Sequence, residues 1–140
     1  MKPEEEKALI DFLHAWQGLP FVWGKNDCCL FACNSVLAVK GVDPGWEYRD
    51  LYTTELGALK ALKKIGGGDI KTAFTQVFGA IKPRLNAENG DLVLIDTELG
   101  DAVGVVQSCK VWAVSPAGLV SLPISQAKGC WKLTNMREDI

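Results

Sequence analysis

The hydrophobic pattern of this chain changes period once, and that change restricts the fold more than any other feature. Up to about residue 78 the apolar residues recur at helical spacing. Leu9, Ile10, Phe12, Leu13 and Trp16 share one face of segment 3–17, segment 27–39 is a nearly continuous apolar run, and Leu56, Ala58, Leu59 and Leu62 repeat within 54–65. A shorter helix is expected over 69–78. Beyond the turn signal Asn89-Gly90-Asp91 the apolar residues come in short runs, 92–95, 102–106, 111–114, 119–122 and 130–133, separated by turn residues as strands are. Helices first and strands second predict an α+β domain, with N-terminal helices packed on one side of a C-terminal antiparallel sheet.

Local punctuation sets the limits of these elements. Pro3 and three glutamates suit a first helical turn, where a missing N–H is harmless and negative charge meets the positive end of the helix dipole. Gly18 and Pro20 end that helix, and residues 21–24 read as extended. Asn26 or Asp27 caps the second helix, which stops before Gly41, while Gly66-Gly67-Gly68 ends the third. With 140 residues, 48% of them hydrophobic, and no repeat or linker, one domain over 1–140 is expected.

Charge and cysteine usage narrow the function classes. The net charge of -2 arises from interspersed charges without a basic stripe, which argues against a nucleic-acid partner. No apolar run is long enough to span a bilayer, and the start MKPEEEK lacks the apolar core of a signal peptide, so a soluble protein made without export is expected. Five cysteines, two of them adjacent, fit a reducing compartment and buried thiols better than a disulfide framework. Cys29 and Cys33 share a helix face, but Cys109 and Cys130 lack paired spacing, so neither a metal nor another cofactor is expected.

The most specific local feature is Phe21-Val22-Trp23-Gly24-Lys25-Asn26-Asp27-Cys28-Cys29-Leu30-Phe31. It places Cys28 at a helix N-terminus, where the dipole and unpaired N–H groups stabilise a thiolate. A lone cysteine on an apolar helix is nonetheless more often a core residue than a nucleophile.

Phe21-Val22-Trp23-Gly24, then Asp27-Cys28 opening a buried helix, then Gly90-Asp91 ahead of Leu92-Val93-Leu94-Ile95, resembles the NlpC-type cell-wall endopeptidases, which are papain-like cysteine hydrolases. The resemblance implies a papain-like fold with Cys28 in the nucleophile position. It also implies a histidine on the strand that here reads Ala102-Val103-Gly104-Val105, where alanine stands instead, and a polar orienting residue near Ala113. The only histidine, His14, lies on the first helix. Asp101 stands beside the base position, but a carboxylate is a poor acid for a leaving amine at neutral pH. Losing a base costs roughly 10² to 10⁴ in rate.

The remaining aromatic residues read as core or as a contact surface, with Trp23, Trp46, Tyr48, Arg49 and Tyr52 as the candidate binding residues, the last four in the loop between the second and third helices. Gly-Val-Asp-Pro, Arg-Asp-Leu-Tyr-Thr-Thr, Gly-Ala-Leu-Lys-Ala-Leu and the closing Cys-Trp-Lys give the whole chain a likeness to short proteins of phage and prophage tail gene clusters. That likeness implies a tail-tip or assembly component that binds other phage tail proteins. Such a component works in the host cytoplasm during assembly, with the virion tail as its destination. The expectation is a non-hydrolytic structural protein on a degenerate cysteine-peptidase scaffold. Two alternatives stay open: a peptidase or amidase acting on peptidoglycan or a tail protein through Cys28, and a small regulatory binding protein.

Overall fold

The computed structural model describes every residue of the chain except 99. Four helices come first: α1 (Pro3–Trp16), α2 (Cys28–Lys40), α3 (Glu55–Ile65) and α4 (Ile70–Phe78). Five strands follow: β1 (Leu92–Thr97), β2 (Gly100–Gln107), β3 (Lys110–Ser115), β4 (Gly118–Pro123) and β5 (Ala127–Trp131). The caps explain the helix starts. Asp27, Thr54 and Asp69 each accept a hydrogen bond from the backbone N–H three residues on, which satisfies a donor that the first turn leaves free. At the far end of α2, Gly41 takes the left-handed conformation and its N–H bonds Leu37 O.

All strand pairs are antiparallel, in the order β4-β3-β2-β1-β5. The register Leu92↔Val105, Leu94↔Val103 and Ile95↔Ala102 puts alternate residues of β1 and β2 on opposite faces. One face, carrying Leu92, Leu94, Val103, Val105, Val114 and Trp131, packs beneath Leu9 and Phe12 of α1, Phe31 and Val36 of α2, and Phe74 and Phe78 of α4. Tilted ring pairs, Phe12 with Phe31 at 5.4 Å and Phe74 with Trp131 at 5.3 Å, join the helices to each other and to the sheet. The other face gathers smaller residues, Val93, Ile95, Ala102, Val106, Val111, Ala113 and Cys130, with Ala87, Ile124 and Cys28 against them.

Asp91 shows why a Gly-Asp pair precedes β1. Its buried carboxylate accepts from Glu88 N at 2.9 Å and Leu133 N at 2.8 Å and meets the Lys132 ammonium, tying the start of β1 to the end of β5. The expected extended segment 21–24 is instead a tight turn, with Val22 bridged to Asn26. The expected strand 130–133 begins earlier, at Ala127, and ends at Trp131; Leu133 opens a short 3-10 turn because its N–H is held by Asp91. Among the described residues, no helix is long and apolar enough to cross a membrane.

Candidate thiol cleft

Cys28 is the first residue of α2, and what fixes it there is the buried carboxylate before it. Asp27 Oδ1 accepts from Leu30 N at 3.0 Å, and Oδ2 accepts from Gly24 N at 3.0 Å and from the Tyr52 hydroxyl at 2.5 Å. Gly24 is required at this turn. Its φ is +81°, and a Cβ there would lie 2.2 Å from Tyr52 O. Asp50 N also donates to Gly24 O at 2.9 Å. The turn before the thiol, the loop after α2 and the helix start therefore hold one another.

The neighbouring thiols are electrostatically unequal. Cys28 Sγ and Cys29 Sγ lie 4.0 Å apart. The hydrogen bond from Cys29, helped by the first backbone amides of α2, holds the Cys28 thiol below its ordinary value, against burial and the nearby Asp27 charge. Cys29 is correspondingly pushed well up by that same hydrogen bond and by burial, and burial pushes Cys33 to about 12. Among the three cysteines of α2, Cys28 is the one that carries a thiolate most easily.

The sulfur opens into a cleft of about 450 Å³. Phe21 and Trp23, edge-on to each other at 4.8 Å, line it together with Tyr48, Tyr52 and the apolar sides of α3 and α4. From the sheet and the turn after β1 it is lined by Thr97, Glu98, Asp101, Ala102 and Ser115. Ala102 belongs to the same packed cluster as Cys28, so a methyl group occupies that part of the cleft wall. Asp101 sits at the rim, paired with Lys128 at 2.7 Å. Ala113 is buried on the same sheet face as Ala102. His14 is an exposed residue of α1 and does not line the cleft. Among the described residues no group of three or more His, Cys, Asp or Glu is arranged to hold a metal ion.

The candidate binding residues divide sharply. Trp46 is 60% exposed and is the one tryptophan of the group free to meet a partner, while Trp131 is fully buried. Trp23 and Tyr48 are half-buried in the cleft, and burial pushes the Tyr48 phenol to about 12. Tyr52 is not a surface anchor: it is buried, and its hydroxyl serves Asp27. Arg49 is not free either, since its guanidinium makes a two-pronged pair with Asp43 at 2.5 and 3.0 Å.

Sequence reasoning missed the Asp27–Tyr52 bond and the part α3 and α4 play in the cleft. The only available signal for the latter was that both helices are amphipathic, which a core-facing stripe explains equally well. A family model described as "Domain of unknown function (DUF6950)" matches residues 1–133. No curated protein matches the chain.

Proposed function

The chain belongs to the DUF6950 family, and we propose that it is a non-hydrolytic structural or assembly component of a phage tail, built on an NlpC-like, papain-like scaffold. The observation that carries the reading is the pairing of a primed thiol with Ala102 across one cleft. The helix-first, sheet-second architecture, with a cysteine-opened helix packed on β2 and β3, supports the scaffold. The tail assignment draws on the whole-chain sequence likeness.

Amide hydrolysis by a cysteine needs a group that delivers a proton to the leaving amine and then activates water. Ala102 can do neither. What the surface offers instead is an exposed apolar stretch on the loop and α3: Trp46, Leu51, Leu56 and Leu59 are each about half exposed or more. Aromatic and aliphatic residues left in water suit a protein partner.

The test is to express the tagged chain together with the tail proteins of its gene cluster and isolate what it binds. The expected result is co-purification with a tail subcomplex, weakened by Trp46→Ala, with peptidoglycan left intact by the purified chain. A chain that stays a free monomer throughout infection contradicts the assembly role. A second reading, a peptidase or amidase with Cys28 as nucleophile, draws on the depressed thiol; peptidoglycan turnover that disappears in Cys28→Ala would establish it.

A further inference from the structure

The cleft next to Cys28 is larger and more apolar than a bare thiol needs. Its far wall is formed by Leu59 and Leu62 of α3 and Ile70 and Phe74 of α4. Only Ala61 of α3 is fully buried and Leu59 is 49% exposed, so the apolar stripe of that helix borders space the protein does not fill. A cavity of about 150 Å³ accepts a six-carbon ring. At about 450 Å³, this one accommodates roughly eighteen carbons, the bulk of a long acyl chain.

We propose that Cys28 is an acylation site, which accepts a long-chain acyl group from an acyl-coenzyme A thioester and houses the chain in the cavity between α2, α3 and α4. In the step, the Cys28 thiol gives its proton to water, its sulfur attacks the thioester carbonyl carbon and a C–Sγ bond forms. The bond from that carbon to the coenzyme A sulfur breaks, and its electron pair leaves with that sulfur, which takes up a proton from water. No electron is transferred and no other co-reactant is needed. The backbone amides of Cys28 and Cys29 already stabilise the attacking thiolate.

The missing base favours this outcome. A thiolate is a good leaving group near neutral pH and needs no acid, whereas an amine does. Once formed, the new thioester faces Ala102, which cannot activate water, so the acyl group stays. The inference shares with the proposed function the primed thiol and this base-free wall, and it does not depend on the tail assignment.

The test uses the purified full-length chain with palmitoyl- or acetyl-coenzyme A at equal concentration, below the micelle threshold, followed by intact-mass spectrometry and peptide mapping. The expected product carries one palmitoyl group on Cys28, is reversed by hydroxylamine, and forms about tenfold or more faster than the acetyl product because the buried methylenes favour the long chain. Cys28→Ala should carry no adduct. Leu62→Trp, which fills the cavity, should remove the chain-length preference while leaving iodoacetamide labelling of Cys28 intact. Should that variant not fold, the two-donor comparison in the native chain decides. Equal rates for the two donors, palmitate spread onto the exposed Cys109, or no adduct while iodoacetamide labels Cys28 would each overturn the proposal. A palmitoyl adduct that forms on Cys28 and is then released by water would contradict the base-free wall, and with it both the retained acyl group and the non-hydrolytic reading.

Discussion

At the scale of single residues, the site is a set of unequal neighbours. Cys28, with its lowered thiol, should be the first α2 cysteine alkylated at neutral pH, and Cys33, pushed to about 12, should stay unreactive in the folded chain; timed alkylation with peptide mapping reads both. Tyr52 acts through Asp27. Tyr52→Phe removes one of three donors to a buried carboxylate and should lower stability by about 2 kcal/mol in chemical denaturation. That Ala102 stands where a base would be is what the resemblance to the NlpC-type enzymes implies. The cysteine at a helix start was legible in the sequence, because a capping aspartate and an apolar run mark it locally. The Tyr52 bond was not, because it joins residues 25 positions apart and burial alone brings them together.

Among the elements, the helices were the most legible, since a capping side chain and an apolar period mark them twice: Asp27, Thr54 and Asp69 stand where the caps were needed. Segment 21–24 reads as extended because it is aromatic, but the backbone needs of Asp27 bend it into a turn around Gly24. Leu56 and Leu59 follow a core period on α3 and yet remain exposed, since periodicity shows that a face is apolar without showing what it faces. The loop after α2 depends on the Asp43–Arg49 pair. Burial pushes the Asp43 carboxyl up, but the Arg49 guanidinium and the Gly45 N–H bring it below its ordinary value. A carboxyl depressed on folding stabilises the protein above its unfolded value, and that contribution is lost as the pH falls through the folded value. Arg49→Gln should therefore lower stability by about 1–2 kcal/mol at neutral pH, with the gap to the native chain closing in acid, as melts across pH will show.

For the whole molecule, the buried core and the proposed contact surface make separate demands. Trp131, with no exposed surface, joins α4 to the sheet, and Trp131→Ala should cost about 3–5 kcal/mol. Trp46 is 60% exposed, so Trp46→Ala should change stability by no more than about 0.5 kcal/mol while weakening capture of the tail subcomplex. Fold class was legible because the period of the pattern changes once along the chain, and the cleft was not, because its walls come from α2, α3, α4 and the sheet at once. Among the described residues that line that cleft, none offers Cys28 an imidazole. The most direct test is the rate of Cys28 alkylation against pH. A single inflection is expected, below that of an ordinary thiol and unchanged in His14→Gln. A second inflection in the imidazole range, abolished by His14→Gln, would contradict it.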